Sequence, residues 1–379
     1  MPITKSSILI VGAFPPPERK IFGGHVTSCR ALLASSFVHR FDLILVDSTQ
    51  ASNPPPGVIV RSMLALKRFA LFIRKLSARR PQAVILFTAV GASVLEKGMM
   101  AWACRFFAIP ALIFPRGAEI IDTASNSSFH RFWIATSLRG ATHFLCQGPA
   151  WQRFATEALN FPLERAPIIP NWTATNCLLA IGERRASRKL PQVPQMLFLG
   201  WLEREKGIFE LLEACQALFP LYPFRLVIAG RGHAESAARA LVEGSKLASM
   251  VEFAGWVQGE TLDALFASSD ILILPSWAEG FPNAIIEAMA AKLAVVVSAV
   301  GNVPDLIVDG REALLVPPKE ADPLRRAIER LLVDKNFRLE LAERGHAFAR
   351  DNFSVEMSVN KLTTAIVFAI EEQLVRRKI

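Results

Sequence analysis

Two carboxylates, Glu279 and Glu287, stand eight positions apart in the stretch Glu279-Gly280-Phe281-Pro282-Asn283-Ala284-Ile285-Ile286-Glu287. The apolar residues 271–274 ahead of them read as a buried strand, and Gly280-Phe281-Pro282-Asn283 reads as the turn that converts it into an apolar helix. Proline suits the first turn of a helix, where the N–H it lacks has no partner to lose. The free N–H groups that follow, with the helix dipole behind them, attract an anion. A phosphate held there would sit between two carboxylates, which would hold the hydroxyls of whatever the phosphate carries. That is the make-up of a nucleotide sugar. The spacing alone also describes a surface turn followed by a helix with a solvated glutamate.

Three more segments fall where strands should end. Gly23-Gly24 follows the first apolar run and opens a helix; glycines there let the backbone approach a ligand and expose N–H groups to it. Gly200-Trp201-Leu202-Glu203-Arg204-Glu205-Lys206-Gly207 follows the first strand of the second half. Lys206, just ahead of a helix, would neutralise charge building on a departing diphosphate. Gly230-Arg231-Gly232 ends the next strand as a close-approach turn with a cation. Taken singly, the first also reads as a plain turn and the second as a solvated lysine. In order, at successive strand ends, all of them with Glu279 and Glu287 describe one half of a site for an anion and its hydroxyls.

The elements that must position these residues repeat along the chain. Apolar runs at 8–11, 43–46, 83–87, 111–114, 143–146 and 168–169, then at 195–199, 225–229, 251–253, 271–274 and 294–298, read as strands. They are interleaved with helical segments, in the first half at 26–37, 61–76, 93–107, 129–139 and 149–159. This alternation calls for an α/β fold with parallel sheets covered on both faces. Two Rossmann-like domains in tandem are expected, one over 1–170 and one over 171–355, set apart by a polar, basic stretch at 182–189. Ligands of open parallel sheets bind beyond the carboxyl ends of the strands, so facing domains would place the site in the cleft between them.

A chain of 379 residues has room for two such cores. Apolar residues make up 51% of it, yet no run reaches the ~18–20 residues that span a membrane. Residues 8–14 are too short for a signal-peptide core, and a cytoplasmic location is expected. Cys29, Cys104, Cys146, Cys177 and Cys215 lack C-x-x-C spacing, the six histidines lack metal-site pairing, and no D-x-D triplet occurs. No metal and no resident cofactor are therefore expected. Residues 1–170 hold 19 Lys+Arg against 8 Asp+Glu, whereas residues 171–379 hold 24 against 26. Much of the surplus lies at 61–80, RSMLALKRFALFIRKLSARR, with seven basic residues and no acidic one. Two readings stand for it: a basic amphipathic helix drawn to an anionic membrane surface at about 1 kcal/mol per basic residue, or a solvated helix packed on a sheet. No motif that reads nucleic acid accompanies the charge.

The segments Gly200–Gly207, 229–232 and 279–290, in that order, resemble the carboxyl-terminal domain of retaining GT-B glycosyltransferases of family 4. Gly23-Gly24, Pro170-Asn171 and the stretch 301–317 resemble that family too. The likeness implies two Rossmann-like domains facing across a cleft, with a last helix over about 356–375 crossing back to the first domain. It implies a nucleotide-diphosphate sugar as co-substrate and a glycan or lipid-linked acceptor. Glu279 would contact hydroxyls of the donor sugar and Glu287 the ribose. Lys206 would bind the diphosphate, and backbone around Gly280, Phe281, Pro282 and Asn283 would face the sugar and phosphates. Gly23 and Gly24 would close over the donor from the other domain, with Gly200 and Gly230 lining it.

Two positions depart from the pattern. Trp201 stands where the family usually has an arginine, so that cationic contact is missing or comes from Arg204 or Arg231. Arg116, in Phe114-Pro115-Arg116-Gly117, stands near where many members place a histidine beside the sugar; it joins Lys206 and Glu279 as a catalytic candidate. The chemistry implied is transfer of a sugar to an acceptor hydroxyl with retention at the anomeric carbon, in the assembly of surface glycans. A non-catalytic nucleotide-sugar-binding subunit of the same fold is the alternative. A nicotinamide oxidoreductase fits less well, because no G-x-G-x-x-G follows the first strand.

Overall fold

The computed structural model describes residues 5–16, 24–50, 56–89, 91–117, 119–185, 192–279 and 283–376. The chain divides into two compact units, one comprising Met1–Trp172 with Val355–Ile379 and the other Thr173–Ser354.

Among the described residues the first unit is built on five parallel strands: β1 (Ser7–Gly12), β2 (Asp42–Asp47), β3 (Ala83–Thr88), β4 (Ala111–Pro115) and β5 (His143–Phe144). Their order in the sheet is β2-β1-β3-β4-β5. The central strands β3 and β4 are buried on both faces, which is why they read as continuous apolar runs. Helices Val58–Arg79, Ala92–Phe106 and Ser128–Leu138 cover one face, sending Phe72, Leu76, Met100, Cys104 and Leu138 into it. The opposite face takes Cys29, Phe37 and Trp172 together with Val359, Leu362 and Ile366 of the last helix, Val355–Arg376. That helix follows the whole second unit in sequence and packs in the first.

The second unit carries β6 (Gln195–Leu199), β7 (Arg225–Ala229), β8 (Val251–Gly255), β9 (Ile271–Leu274), β10 (Ala294–Ser298) and β11 (Leu314–Val316). All pair in parallel in the order β11-β10-β9-β6-β7-β8. In each sheet the order turns back once, between β1 and β3 in the first and between β6 and β9 in the second. The connections on either side of such a point leave in opposite directions, and a crevice opens at the carboxyl ends.

The structure corrects several expected elements. Of the stretch 182–189, residues 182–184 end the helix Asn176–Arg184, capped by Thr175 Oγ1 accepting from the Leu178 N–H at 3.3 Å, and residues 186–189 lie outside the described residues. A Cβ on Gly182 would lie 2.6 Å from both Ala290 O and the His346 ring, so the glycine sits where chain segments cross. Residues 143–146 and 168–169 form a two-residue strand and one bridge, Cys146 with Ile168. The segment 26–37 divides into Gly24–Leu33 and Phe37–Arg40, and 149–159 turns from α at Arg153 to a π-turn at Phe154–Ala158. The helix Glu119–Asn126 and the strand β11 were not expected. Among the described residues no helix is long and apolar enough to cross a membrane.

Candidate functional site

In the second unit the chemistry collects at the turning point of the sheet. The loop after β6 passes through the 3-10 turn Arg204–Lys206 into helix Ile208–Leu218. The loop after the neighbouring β9 carries Ser276, Trp277 and Glu279. Gly207 holds φ at +73°, and a Cβ there would meet Pro275 O at 2.0 Å, so only glycine lets the two loops touch. Lys206 Nζ donates to Glu279 Oε1 in an ion pair, and Ser276 Oγ donates to the same oxygen at 2.8 Å. The Trp277 N–H donates to Glu205 O at 2.8 Å and its indole N–H to Glu210 Oε1 at 3.1 Å, tying loop to loop. An ammonium and a carboxylate are thereby fixed at one point, partly exposed, each able to exchange the other for a ligand group.

Glu287 lies on helix Asn283–Ala290, which sends Ile285, Ile286 and Met289 into the core. Burial pushes its carboxyl up to about 7, and the Asp263 carboxylate on helix Glu260–Ser268 adds to the shift. Gly280, Phe281 and Pro282 fall outside the described residues, as does Gly23; Gly24 opens its helix and Asn283 opens the other.

The ends of β6, β7 and β8 lie against one another. The Gly200 N–H donates to Ala229 O at 3.1 Å and the Gly230 N–H to Gly255 O at 2.7 Å. A Cβ on Gly230 would come within 1.8 Å of Gly200 O. Trp201 is committed to packing, its ring centroid 4.8 Å from that of Trp256. Of the two cations considered in its place, Arg231 pairs with Glu235 at 2.9 Å, and Arg204 spreads over the rings of Phe209 and Trp277. Neither touches Lys206 in the described contacts.

The first unit has its own crevice. A cavity of about 620 Å³ opens at the carboxyl ends of β1, β2 and β3, among Ala13, Ser48, Thr49, Phe87 and the helix residues Arg61, Ser93, Glu96 and Lys97. Glu96 and Lys97 are 6% and 2% exposed and pair at 2.9 Å, while Arg68 from the neighbouring helix grips Glu96 at 2.8 and 3.0 Å. Burial pushes the Glu96 carboxyl up, and the two cations more than reverse this, leaving it lowered. Burial lowers Lys97 despite Glu96. His25 also lines the cavity; burial, then the charges of Arg116 and Lys97, drive its pKa to about 3. Its Nε2 is buried without a hydrogen-bond partner among the described residues. Arg116 donates to Asn171 Oδ1 at 3.1 Å and lies over the rings of Phe114 and Trp172 at 5.1 and 5.0 Å. Burial lowers its pKa to about 10, so it stays cationic.

Lys206 and Glu279 are thus brought into contact, while Arg116 belongs to a separate cluster in the other unit. His25, Ser276, Glu96 and Lys97 were not singled out from the sequence. For His25 a signal existed, since it directly follows Gly23-Gly24; for Glu96-Lys97, an ordinary helical charge pair, only burial marks it. Among the described residues no three His, Cys, Asp or Glu side chains gather as metal ligands.

Residues 182–348 match the family described as glycosyl transferases group 1. Over 190 residues the chain is 31% identical to the lipopolysaccharide core biosynthesis glycosyltransferase LpsE of Rhizobium meliloti, covering 50% of this chain and 54% of that protein. It is 32% identical over 160 residues to the O-antigen chain mannosyltransferase B of Escherichia coli, covering 41% of each. The chain spans about half the length of the curated relatives it matches. Sucrose-phosphate synthase from Thermosynechococcus elongatus superimposes with a TM-score of 0.72 at 19% identity, covering 98% of this chain and 100% of that one. HepE of Anabaena, solved in complex with UDP, gives 0.69 at 16%, covering 95% and 99%. The chain is therefore of GT-B fold, and its second unit is similar over residues 182–348 to the glycosyl transferases group 1.

Proposed function

We propose that the protein is a retaining, metal-independent glycosyltransferase of family 4 that moves a sugar from a nucleotide-diphosphate donor to an acceptor hydroxyl. The acceptor is a lipid-linked sugar or growing polysaccharide in surface glycan assembly, met at the cytoplasmic face of a membrane. The observation that carries this reading is the contact of Lys206 with Glu279 and Ser276 at the turning point of the second sheet. HepE, crystallised with UDP-glucose, and LpsE, named for lipopolysaccharide core biosynthesis, agree with it in donor class and pathway.

On this reading a donor diphosphate takes the Lys206 ammonium, freeing Glu279 to accept hydrogen bonds from sugar hydroxyls. Glu287 accepts from the ribose as a carboxylate. The acceptor binds in the first-unit cavity, which neutral His25 lines, with the charge of the buried Arg116 cation acting on that histidine. The acceptor oxygen attacks the anomeric carbon from the face the diphosphate leaves. The bond to the leaving phosphate breaks through an oxocarbenium-like state, and a phosphate oxygen takes the acceptor proton. Lys206 stabilises the negative charge gathering on that phosphate. The cation comes from the side chain, so the scheme requires no metal ion.

Trp201 favours the second reading, a nucleotide-sugar-binding subunit without transfer activity, because its ring is packed on Trp256 and supplies no cation. A screen of nucleotide sugars with membrane extract, reading nucleoside diphosphate release, separates the two. Binding without release supports the subunit; neither binding nor release with any donor removes both.

A further inference from the structure

The outward stripe of helix Ala92–Phe106 has the wrong polarity for a surface in water. Its buried side holds the Glu96–Lys97 pair, whereas Leu95, Met99, Trp102 and Phe106, at successive steps of four, three and four residues, all face out. Phe106 is 86% exposed. A helix packed on a sheet should show the reverse. The neighbouring helix Ser128–Leu138 continues the stripe with Phe129, Phe132 and Trp133, the first two 67% and 60% exposed. Close contact holds the two helices as one plate: a Cβ on Gly98 would meet Ser137 O at 2.7 Å, and the Trp102 indole N–H donates to Thr136 O at 3.2 Å. Helix Val58–Arg79, in the same layer, adds exposed Val58, Ile59, Met63 and Leu66.

Such a surface exceeds the scattered apolar residues that a soluble domain tolerates. Its edges are basic: Arg105 and Arg139 lie exposed at its end, Arg131 within it, and Arg61 and Lys67 along the third helix. Glu96 is the only acidic residue on these three helices and it points inward. An apolar cavity of about 410 Å³ opens in the plate among Val94, Leu95, Ile120, Phe129, Trp133 and Ile134. Aromatic rings with apolar bodies and basic rims match the region of a bilayer where hydrocarbon meets anionic headgroups.

We propose that this face seats in the surface layer of an anionic lipid bilayer, with Trp102, Phe106, Phe129, Phe132 and Trp133 in the hydrocarbon boundary and the apolar cavity filled by one acyl chain. The mode differs from electrostatic attraction of the helix 61–80 alone, because the aromatic rings enter the lipid. It also gives the polar cavity a place, since Ser93, Glu96 and Lys97 line that cavity on the same helix. The proposal stands apart from the donor chemistry of the second unit.

The test uses the full chain with vesicles of phosphatidylcholine alone or with phosphatidylglycerol, some carrying brominated acyl chains. We expect co-sedimentation with the anionic vesicles that partly survives high salt, and quenching of tryptophan fluorescence by the brominated chains. Replacing Trp102 and Trp133 by Phe should remove most of the quenching while binding remains. The pair Phe106→Ser with Phe129→Ser should lower partitioning roughly tenfold or more, with nucleoside diphosphate binding unchanged as the check on folding. Binding that high salt abolishes, without quenching, would overturn insertion. So would a chain that ignores vesicles, or one that self-associates in solution through this face and becomes monomeric in the double serine variant.

Discussion

The two units share one architecture and differ in where their charges and their apolar side chains stand. The second unit buries Asp270 against Arg185 at 3.7 Å and Glu312 and Arg338 elsewhere, leaves pairs such as Glu340 and Arg344 exposed, and gathers its candidate site residues in two short loops. The first unit buries Glu96 and Lys97 beside a cavity while turning leucine, phenylalanine and tryptophan outward. A parallel sheet with its crevice at the turning point supports both. What differs is the outer face: in the first unit a helix that buries a charge pair carries an exposed apolar stripe.

The contrast can be broken first at its most costly point. Glu96→Ala leaves Lys97 and Arg68 without their carboxylate, and we expect a loss of about 3–5 kcal/mol in stability, read by urea denaturation. A loss below about 1 kcal/mol would mean the cluster is solvated like a surface pair. In the second unit, Lys206→Ala should cost function rather than stability: about 10²–10³ in turnover, measured as nucleoside diphosphate release, with the unfolding midpoint little changed. If turnover survives, Lys206 does not touch the leaving group.

Glu287 sharpens the comparison through pH. Its carboxyl is raised from 4.5 to about 7, so between those values the folded protein holds a proton that the unfolded chain releases. Stability should fall as pH rises through that window and level off above it. Glu287→Gln should match the parent near pH 5 and exceed it in melting temperature near pH 8.5. Nucleotide affinity should move the other way, rising with pH through 7 in the parent and staying flat and about tenfold weaker in the variant. A parent affinity independent of pH would remove the ribose contact. The smallest effect is expected for Glu340→Ala, below about 0.5 kcal/mol in the same denaturation assay, because that pair is exposed and screened.

Legibility followed the physics of each element. Strands β3, β4, β9 and β10 stood out because burial on both faces requires unbroken apolar runs. Strand β11, three residues long, has too little pattern to separate from a loop, and β5 retains only two of the four residues its apolar run suggested. The helix Asn176–Arg184 hid behind the charges that follow it, its amphipathic turn masked by Arg184 and Arg185. Lys206, Glu279 and Glu287 could be singled out because each is tied to a glycine or proline turn with a fixed place at a strand end. Glu96 and Lys97 lacked that signal, since the same pair on a solvated helix would spell the same sequence, whereas His25 carried it in the Gly23-Gly24 that precedes it.

Chain order alone therefore determined the alternation of strand and helix, the parallel sheets, and which strand-end loops hold the candidate site residues. Local sequence dictates these through apolar period and backbone freedom. Tertiary structure decided that Lys206 and Glu279, 73 positions apart, share one hydrogen-bonding point. It also decided that Glu96 and Lys97 lie inside, and that the apolar stripe of their helix lies outside. A periodic stripe states that a helix has two faces; only packing against the sheet chooses which of them meets water or lipid.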